Sequence, residues 1–212
     1  MVLRLSGGRR LQSPVGDIAR PTASKVRLAV MNCLAPELPG ARWLDLCSGS
    51  GVMACEALQR GADTVVAIER DRQIAAICRS NLQAVHAGLP ETRRSRAQVA
   101  VHCTAAERWL SRSGEQPFDL IYADPPYDSG LYGDLASGLL KAALLAPGGT
   151  LLLECGTGRL PPLPEGWLCR SERRYGSTTL LLLHLDPAAG GTGGGPLPPT
   201  APQPPQTLPT DC

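Results

Sequence analysis

The stretch Arg42-Trp43-Leu44-Asp45-Leu46-Cys47-Ser48-Gly49-Ser50-Gly51 decides how this chain folds. Arg42–Leu46 is a short apolar run of strand length. Gly49-Ser50-Gly51 then forms a tight turn, and Val52–Arg60 carries helical spacing until Gly61 stops it. A buried strand, a glycine turn and a helix together make the opening unit of a parallel sheet covered by helices.

Working outward, the same alternation continues. Thr64–Glu69 reads as a strand rich in β-branched residues, Arg70–Val85 as a helix, Gln98–Cys103 as a strand and Ala105–Ser111 as a short helix. A basic loop around Arg93, Arg94 and Arg96 precedes the third strand. Phe118–Ala123 is a fourth strand, and Leu135–Leu145 a helix. Pro147-Gly148-Gly149 turns into the strand Thr150–Cys155. Two more strands, near Trp167–Arg170 and Thr178–Leu185, have no strong helix between them and predict an antiparallel end to the sheet. Before the first strand, Val26, Val30 and Leu34 mark one face of a helix that Thr22 can cap. The expected organisation is a basic arm over 1–20, one domain over 21–186, and a Pro/Gly-rich tail over 187–212 that is too poor in apolar residues to fold.

The glycine loop alone leaves two cofactors open. Gly49-Ser50-Gly51-Val52-Met53-Ala54 satisfies the dinucleotide pattern G-x-G-x-x-A, and Glu69 follows Gly51 by 69 − 51 = 18 residues, where an acid grips a ribose. Asp45 separates the two. A carboxylate just before the glycines repels a pyrophosphate but suits the ammonium end of S-adenosylmethionine.

The second motif is Asp124-Pro125-Pro126-Tyr127, at the end of Phe118–Ala123. Two prolines make a rigid loop at the carboxyl edge of the sheet. The Asp124 carboxylate and a backbone carbonyl, that of Pro125, can accept both N–H bonds of a planar exocyclic amine, and the Tyr127 ring can stack on a base. Accepting those bonds frees the amine lone pair, and Asp124 can take the surplus proton. The expected chemistry is methyl transfer from S-adenosylmethionine to an amino group of a base. Alternatives are an adenine-N6 methyltransferase acting on DNA or RNA, a protein-glutamine methyltransferase, a nicotinamide-dependent oxidoreductase, and a binding protein without turnover.

Composition is consistent with a globular chain: 212 residues, 43% hydrophobic and 19% charged, with a net charge of +2. Basic residues concentrate at the start, where Arg4, Arg9, Arg10, Arg20, Lys25 and Arg27 face only Asp17, a distribution that attracts phosphates. The 8 cysteines include no C-x-x-C pair, which argues against zinc ribbons and for a reduced cytoplasmic protein. His86, His102 and His184 are too dispersed for a metal site. The opening residues lack an apolar leader, and no apolar run is of membrane-spanning length.

Taken together, these residues resemble the RsmD family, the bacterial 16S rRNA (guanine-N2)-methyltransferases. The likeness is carried by Arg20-Pro21-Thr22 with Lys25, Val26 and Arg27, by Asn32, and by Asp45–Gly51. Further matches are Glu56-Ala57-Leu58 with Arg60-Gly61-Ala62, Glu69 with Asn81, and Asp119-Leu120-Ile121 with Asp124–Tyr127. It implies a Rossmann-like class I methyltransferase: a mostly parallel seven-stranded sheet with an antiparallel end and helices on both faces. It implies S-adenosylmethionine held by Asp45, Ser48, Gly49, Ser50, Gly51, Glu69, Arg70 and Asp124, with Thr104 and Ala105 beside the adenine. It implies a guanine of 16S rRNA, naked or in a small-subunit assembly particle, as acceptor. Asp124, Pro125, Pro126 and Tyr127 would be catalytic, and Arg9, Arg10, Arg20, Thr22, Lys25 and Arg27 would hold RNA. A monomer without metal or membrane contact is the expected state.

Overall fold

The computed structural model describes residues 3–14, 24–126 and 130–188. The elements in chain order are α1 (Ser24–Cys33), β1 (Arg42–Leu46), α2 (Val52–Arg60), β2 (Thr64–Glu69), α3 (Arg72–Ala87) and α4 (Glu91–Arg94). They continue with β3 (Gln98–Cys103), α5 (Ala106–Leu110), β4 (Phe118–Ala123), α6 (Leu131–Lys141), β5 (Leu145–Gly156), β6 (Trp167–Tyr175) and β7 (Thr178–Leu185).

The strands form one seven-stranded sheet in the order β3-β2-β1-β4-β5-β7-β6. β3, β2, β1, β4 and β5 run parallel, whereas β7 is antiparallel to both β5 and β6. From β1 the chain winds outward through β2 to β3, then returns to β4 on the other side. The order therefore reverses between β1 and β4, the place where open sheets of this kind leave a crevice beyond their carboxyl ends.

Alternation along the strands divides the core in two. Trp43, Val65, Leu120, Tyr122 and Leu152 pack with α1, α2 and α3 on one face. Leu44, Leu46, Ile121, Ala123, Leu151 and Leu153 pack with α5 and α6 on the other. The Trp43 and Tyr122 rings stack at 6.2 Å between centroids across the β1–β4 pair.

The opening residues form a small hairpin. Arg4 and Arg10 are bridged antiparallel, and Leu3, Leu5 and Leu11 are buried in the first core. The Arg27 side chain, expected to hold RNA, is buried beneath this hairpin. It pairs with Glu56 at 3.1 Å, and its Nη2 donates to the Arg4 carbonyl at 2.7 Å. With 6% of its surface exposed and its guanidinium so engaged, Arg27 holds the fold together and is withdrawn from phosphates.

Several boundaries differ from expectation: α3 spans Arg72–Ala87 in place of Arg70–Val85, α5 spans Ala106–Leu110 in place of Ala105–Ser111, α6 ends at Lys141, and the basic loop holds the short helix α4. α6 starts at Leu131, four residues before Leu135, and β5 starts at Leu145 and runs through Pro147-Gly148-Gly149, which was expected to be a turn. The register shifts between Phe118↔Leu145 and Leu120↔Thr150, so these residues form a bulge within the strand. Glycine is required there: a Cβ on Gly149 would lie 2.8 Å from the Asp119 carbonyl and 2.9 Å from that of Ala146. β6 extends to Tyr175 because it stays paired with β7 as far as Tyr175↔Thr178, and Arg173 and Arg174 place charge on this exposed edge strand, where it discourages pairing with other chains.

Candidate active site

A cavity of about 590 Å³ opens beyond the carboxyl ends of the strands, within the ~300–1,000 Å³ of small-molecule sites. Each strand end contributes to its wall. Asp45, Cys47, Ser48, Gly49 and Ser50 follow β1, while Glu69, Arg70 and Asp71 follow β2. Thr104 and Ala105 follow β3, Asp124, Pro125 and Pro126 follow β4, and Glu154 comes from β5. The wall therefore unites every described residue expected to hold the donor or act on the amine, with one exception. Tyr127, Arg20 and Thr22 lie outside the described residues, as does the expected tail from residue 189 onward.

The exception is Gly51, which is absent from the cavity wall. It is the point where the loop touches α3: a Cβ there would lie 2.5 Å from the Cys78 sulfur, and its φ is +76°. Gly51 is needed for packing, and Gly49 and Ser50 form the loop surface that faces the cavity.

The loop is held by Glu69 and Asp45. Glu69 accepts the Gly49 N–H at 2.9 Å through one oxygen and the Asp71 N–H at 2.8 Å through the other. Asp45 accepts the Ala54 N–H at 3.0 Å through Oδ2. Its other oxygen, Oδ1, is buried without a hydrogen-bond partner among the described residues. Burial, with some repulsion from Glu69, pushes the Asp45 carboxyl up to about 8. An orphaned buried acceptor on a cavity wall calls for a donor or a cation from a ligand.

Asp124 is also pushed up to about 8, by burial first, then by repulsion from Glu154 and Asp45. Burial likewise raises Glu154, while the Tyr122 hydroxyl that donates to its Oε2 opposes the shift. The Tyr132 hydroxyl shares its one proton between the Glu154 carbonyl at 3.1 Å and the Pro125 carbonyl at 3.4 Å, tying the loop after β4 to β5.

Glu154, Tyr175, Ser177 and Thr178 extend the wall beyond Asp124 on the side away from Asp45, and the sequence reading did not single them out. The signal for Glu154 was a lone acid in the apolar run Leu151–Cys155. Of the basic residues, Arg9, Arg10 and Lys25 are exposed, and Arg9 donates to the Ala84 carbonyl at 3.0 Å. Among the described residues no group of three or more His, Cys, Asp or Glu side chains is placed to hold a metal, and no helix is long and apolar enough to cross a membrane.

The profile of the family described as "Conserved hypothetical protein 95" matches residues 5–184. The ribosomal RNA small subunit methyltransferase D of Escherichia coli strain K12 is 30% identical over 176 residues, covering 82% of this chain and 84% of that protein.

This chain belongs to the RsmD methyltransferase family.

A solved structure, the putative methyltransferase yhhF from Escherichia coli, superposes with a TM-score of 0.73 at 28% identity, over 88% of this chain and 99% of that one. An RNA methyltransferase from Salinibacter ruber, solved with S-adenosyl-L-homocysteine, shares the fold with a TM-score of 0.55 at 15% identity, over 77% of this chain and 92% of that one. The fold is thus the Rossmann-like fold of S-adenosylmethionine-dependent methyltransferases, with the mostly parallel sheet and antiparallel end that the RsmD resemblance implied.

Proposed function

We propose that the chain transfers a methyl group from S-adenosylmethionine to the N2 amine of a guanine in 16S rRNA. The observation that carries this reading is the shared cavity. An orphaned buried acceptor, Asp45 Oδ1, and the Asp124-Pro125 rim line one space of small-molecule size. The residues fit the donor. Asp45 suits its ammonium group, Glu69 its ribose hydroxyls, and Thr104 and Ala105 its adenine. When bound, S-adenosylmethionine supplies a methyl carbon on a positively charged sulfur, which an amine takes up with release of a proton.

The remaining work belongs to the chain. Asp124 accepts one amine N–H and the Pro125 carbonyl the other, which holds the nitrogen in place and localises its lone pair. Pushed up to about 8, the carboxyl holds a proton at neutral pH and becomes a strong proton acceptor once ionised, so transfer should quicken as pH rises toward 8. Orientation of this kind is worth roughly 7–11 kcal/mol of barrier. The β1–β4 crevice keeps the two ligands on neighbouring strands, and exposed Arg9, Arg10 and Lys25 supply phosphate contacts around the extruded base.

The test is methyl-labelled donor with 16S rRNA, naked and as assembled small-subunit particles, followed by mapping of the modified base. Label on guanine N2, lost in Asp124→Ala while S-adenosylhomocysteine still binds, is the expected result. Label only on an adenine or on protein glutamine, or none on RNA, overturns the reading.

A further inference from the structure

Glu154 is placed to do more than support Tyr122. In the β4–β5 pairing Ala123 stands opposite Leu153, so the next step along both strands sets Asp124 beside Glu154. Paired strands lie ~4.8 Å apart, and side chains at paired positions share a face. Both carboxylates line the cavity. The donor-side residues Asp45 and Glu69 come from β1 and β2, on one side of β4, and Glu154 comes from β5, on the other. Glu154 thus belongs to the acceptor half. Only 3% of its surface is exposed, and its Oε2 is held by the Tyr122 hydroxyl. No hydrogen bond among the described residues engages Oε1, and Glu154 lines the cavity.

We infer that Glu154 Oε1 accepts the N1–H of the target guanine beside the N2 amine gripped by Asp124, and so makes the site select guanine over bases without that hydrogen. The inference rests on the guanine-N2 reading above. An ionised carboxylate only accepts hydrogen bonds. The Watson–Crick edge of guanine offers N1–H and N2–H side by side, all donors. Adenine offers an amine beside a bare N1, whose lone pair would face Glu154 and leave a buried charge unpaired. A site built to bond a group rejects the analogue that lacks it far more strongly than an apolar pocket can.

2-Aminopurine keeps the 2-amino group and lacks N1–H together with O6, so the change of preference in a Glu154 variant is what assigns the effect to N1. In Glu154→Gln, the Tyr122 hydroxyl still donates to the side-chain carbonyl, which turns the new NH2 toward the cavity. The acceptor becomes a donor, matched to the bare N1 of 2-aminopurine.

The experiment compares 16S rRNA carrying guanosine with the same rRNA carrying 2-aminopurine riboside at the mapped position. Wild type is expected to prefer guanosine by about 10–100-fold in kcat/KM. Glu154→Gln is expected to lose activity on guanosine, gain it on 2-aminopurine, and bind S-adenosylhomocysteine as wild type does. A purely structural role would depress both substrates together, so an unchanged ratio in the variant overturns the inference. Equal use of both substrates by wild type overturns it without any variant. Wild type that methylates no guanine fails the earlier reading instead, and the two failures are distinct.

Discussion

Arg27 Nε lies 3.1 Å from Glu56 Oε1, and both side chains are buried. The same Glu56 oxygen accepts the Ser6 N–H at 2.7 Å and the Ser6 hydroxyl at 2.8 Å, so this pair fastens the opening hairpin to α1 and α2. Removing one partner of a buried pair costs about 3–5 kcal/mol when the other charge is left uncompensated, and here Arg60, 3.6 Å from Glu56 Oε2, still offsets part of it, so that range is an upper limit. Arg27→Ala should lower the unfolding free energy by up to that amount in a denaturant titration. The salt dependence of RNA affinity, measured on the folded fraction, should not change. A variant of wild-type stability with a reduced salt slope would return Arg27 to the RNA surface.

Gly51→Ala and Gly49→Ala should differ although the two glycines share one loop. Both have positive φ, +76° and +52°, but only the Cβ on Gly51 meets an obstacle, the Cys78 sulfur at 2.5 Å. Strain of ~1–2 kcal/mol is expected at Gly49, and a further ~1–3 kcal/mol of overpacking at Gly51. Cys78→Ala should restore part of the stability lost in Gly51→Ala and none of that lost in Gly49→Ala. Thermal melts of the four variants decide the matter.

The ligand-free chain should lose stability as pH rises. Asp45 and Asp124 are both pushed up to about 8 from an ordinary value near 4. Between those values the folded chain holds protons that the unfolded chain releases, so the contribution is present on the acid side and is lost as pH climbs through 8. A higher melting temperature at pH 5.5 than at pH 8 is expected, with a smaller difference in Asp45→Asn. Affinity for S-adenosylhomocysteine, whose ammonium meets Asp45 in the proposed site, should tighten over the same range. A flat melting profile would show that these carboxyls ionise normally.

Arg9 and Arg10 are the exposed remainder of the basic arm. If each neutralises one phosphate, Arg9→Ala and Arg10→Ala should each reduce the slope of log affinity against log salt by about 0.7–0.9. S-adenosylhomocysteine affinity should stay as in wild type. Filter binding at several salt concentrations checks this, and an unchanged slope would place the RNA elsewhere.

Local patterns were readable wherever one residue's surroundings followed from its own run. β1, α2, β2, β3, β4 and β7 match their expected bounds, because short β-branched and apolar runs, and for α2 the stop at Gly61, leave little choice. The glycine loop and the Asp124-Pro125-Pro126 rim were legible for the same reason. What sequence could not supply was pairing across distance. Arg27 counts as positive charge until Glu56, on another helix, is brought against it. Glu154 resembles a strand end until β5 is set beside β4. The bulge at Pro147-Gly148-Gly149 depends on the Asp119 carbonyl of a neighbouring strand, which no local turn signal records.

Asn81 joins two parts of the molecule that meet different partners in the proposed reaction. Its Nδ2 donates to the Gln12 carbonyl and the Ser50 carbonyl, each at 3.0 Å, and its Oδ1 accepts the Gln12 N–H at 2.8 Å. One amide thus braces the hairpin and the glycine turn at once. Whatever strain passes through this amide passes equally in both directions. Loss of the Asn81 side chain would therefore loosen the hairpin and the glycine turn together, not one alone.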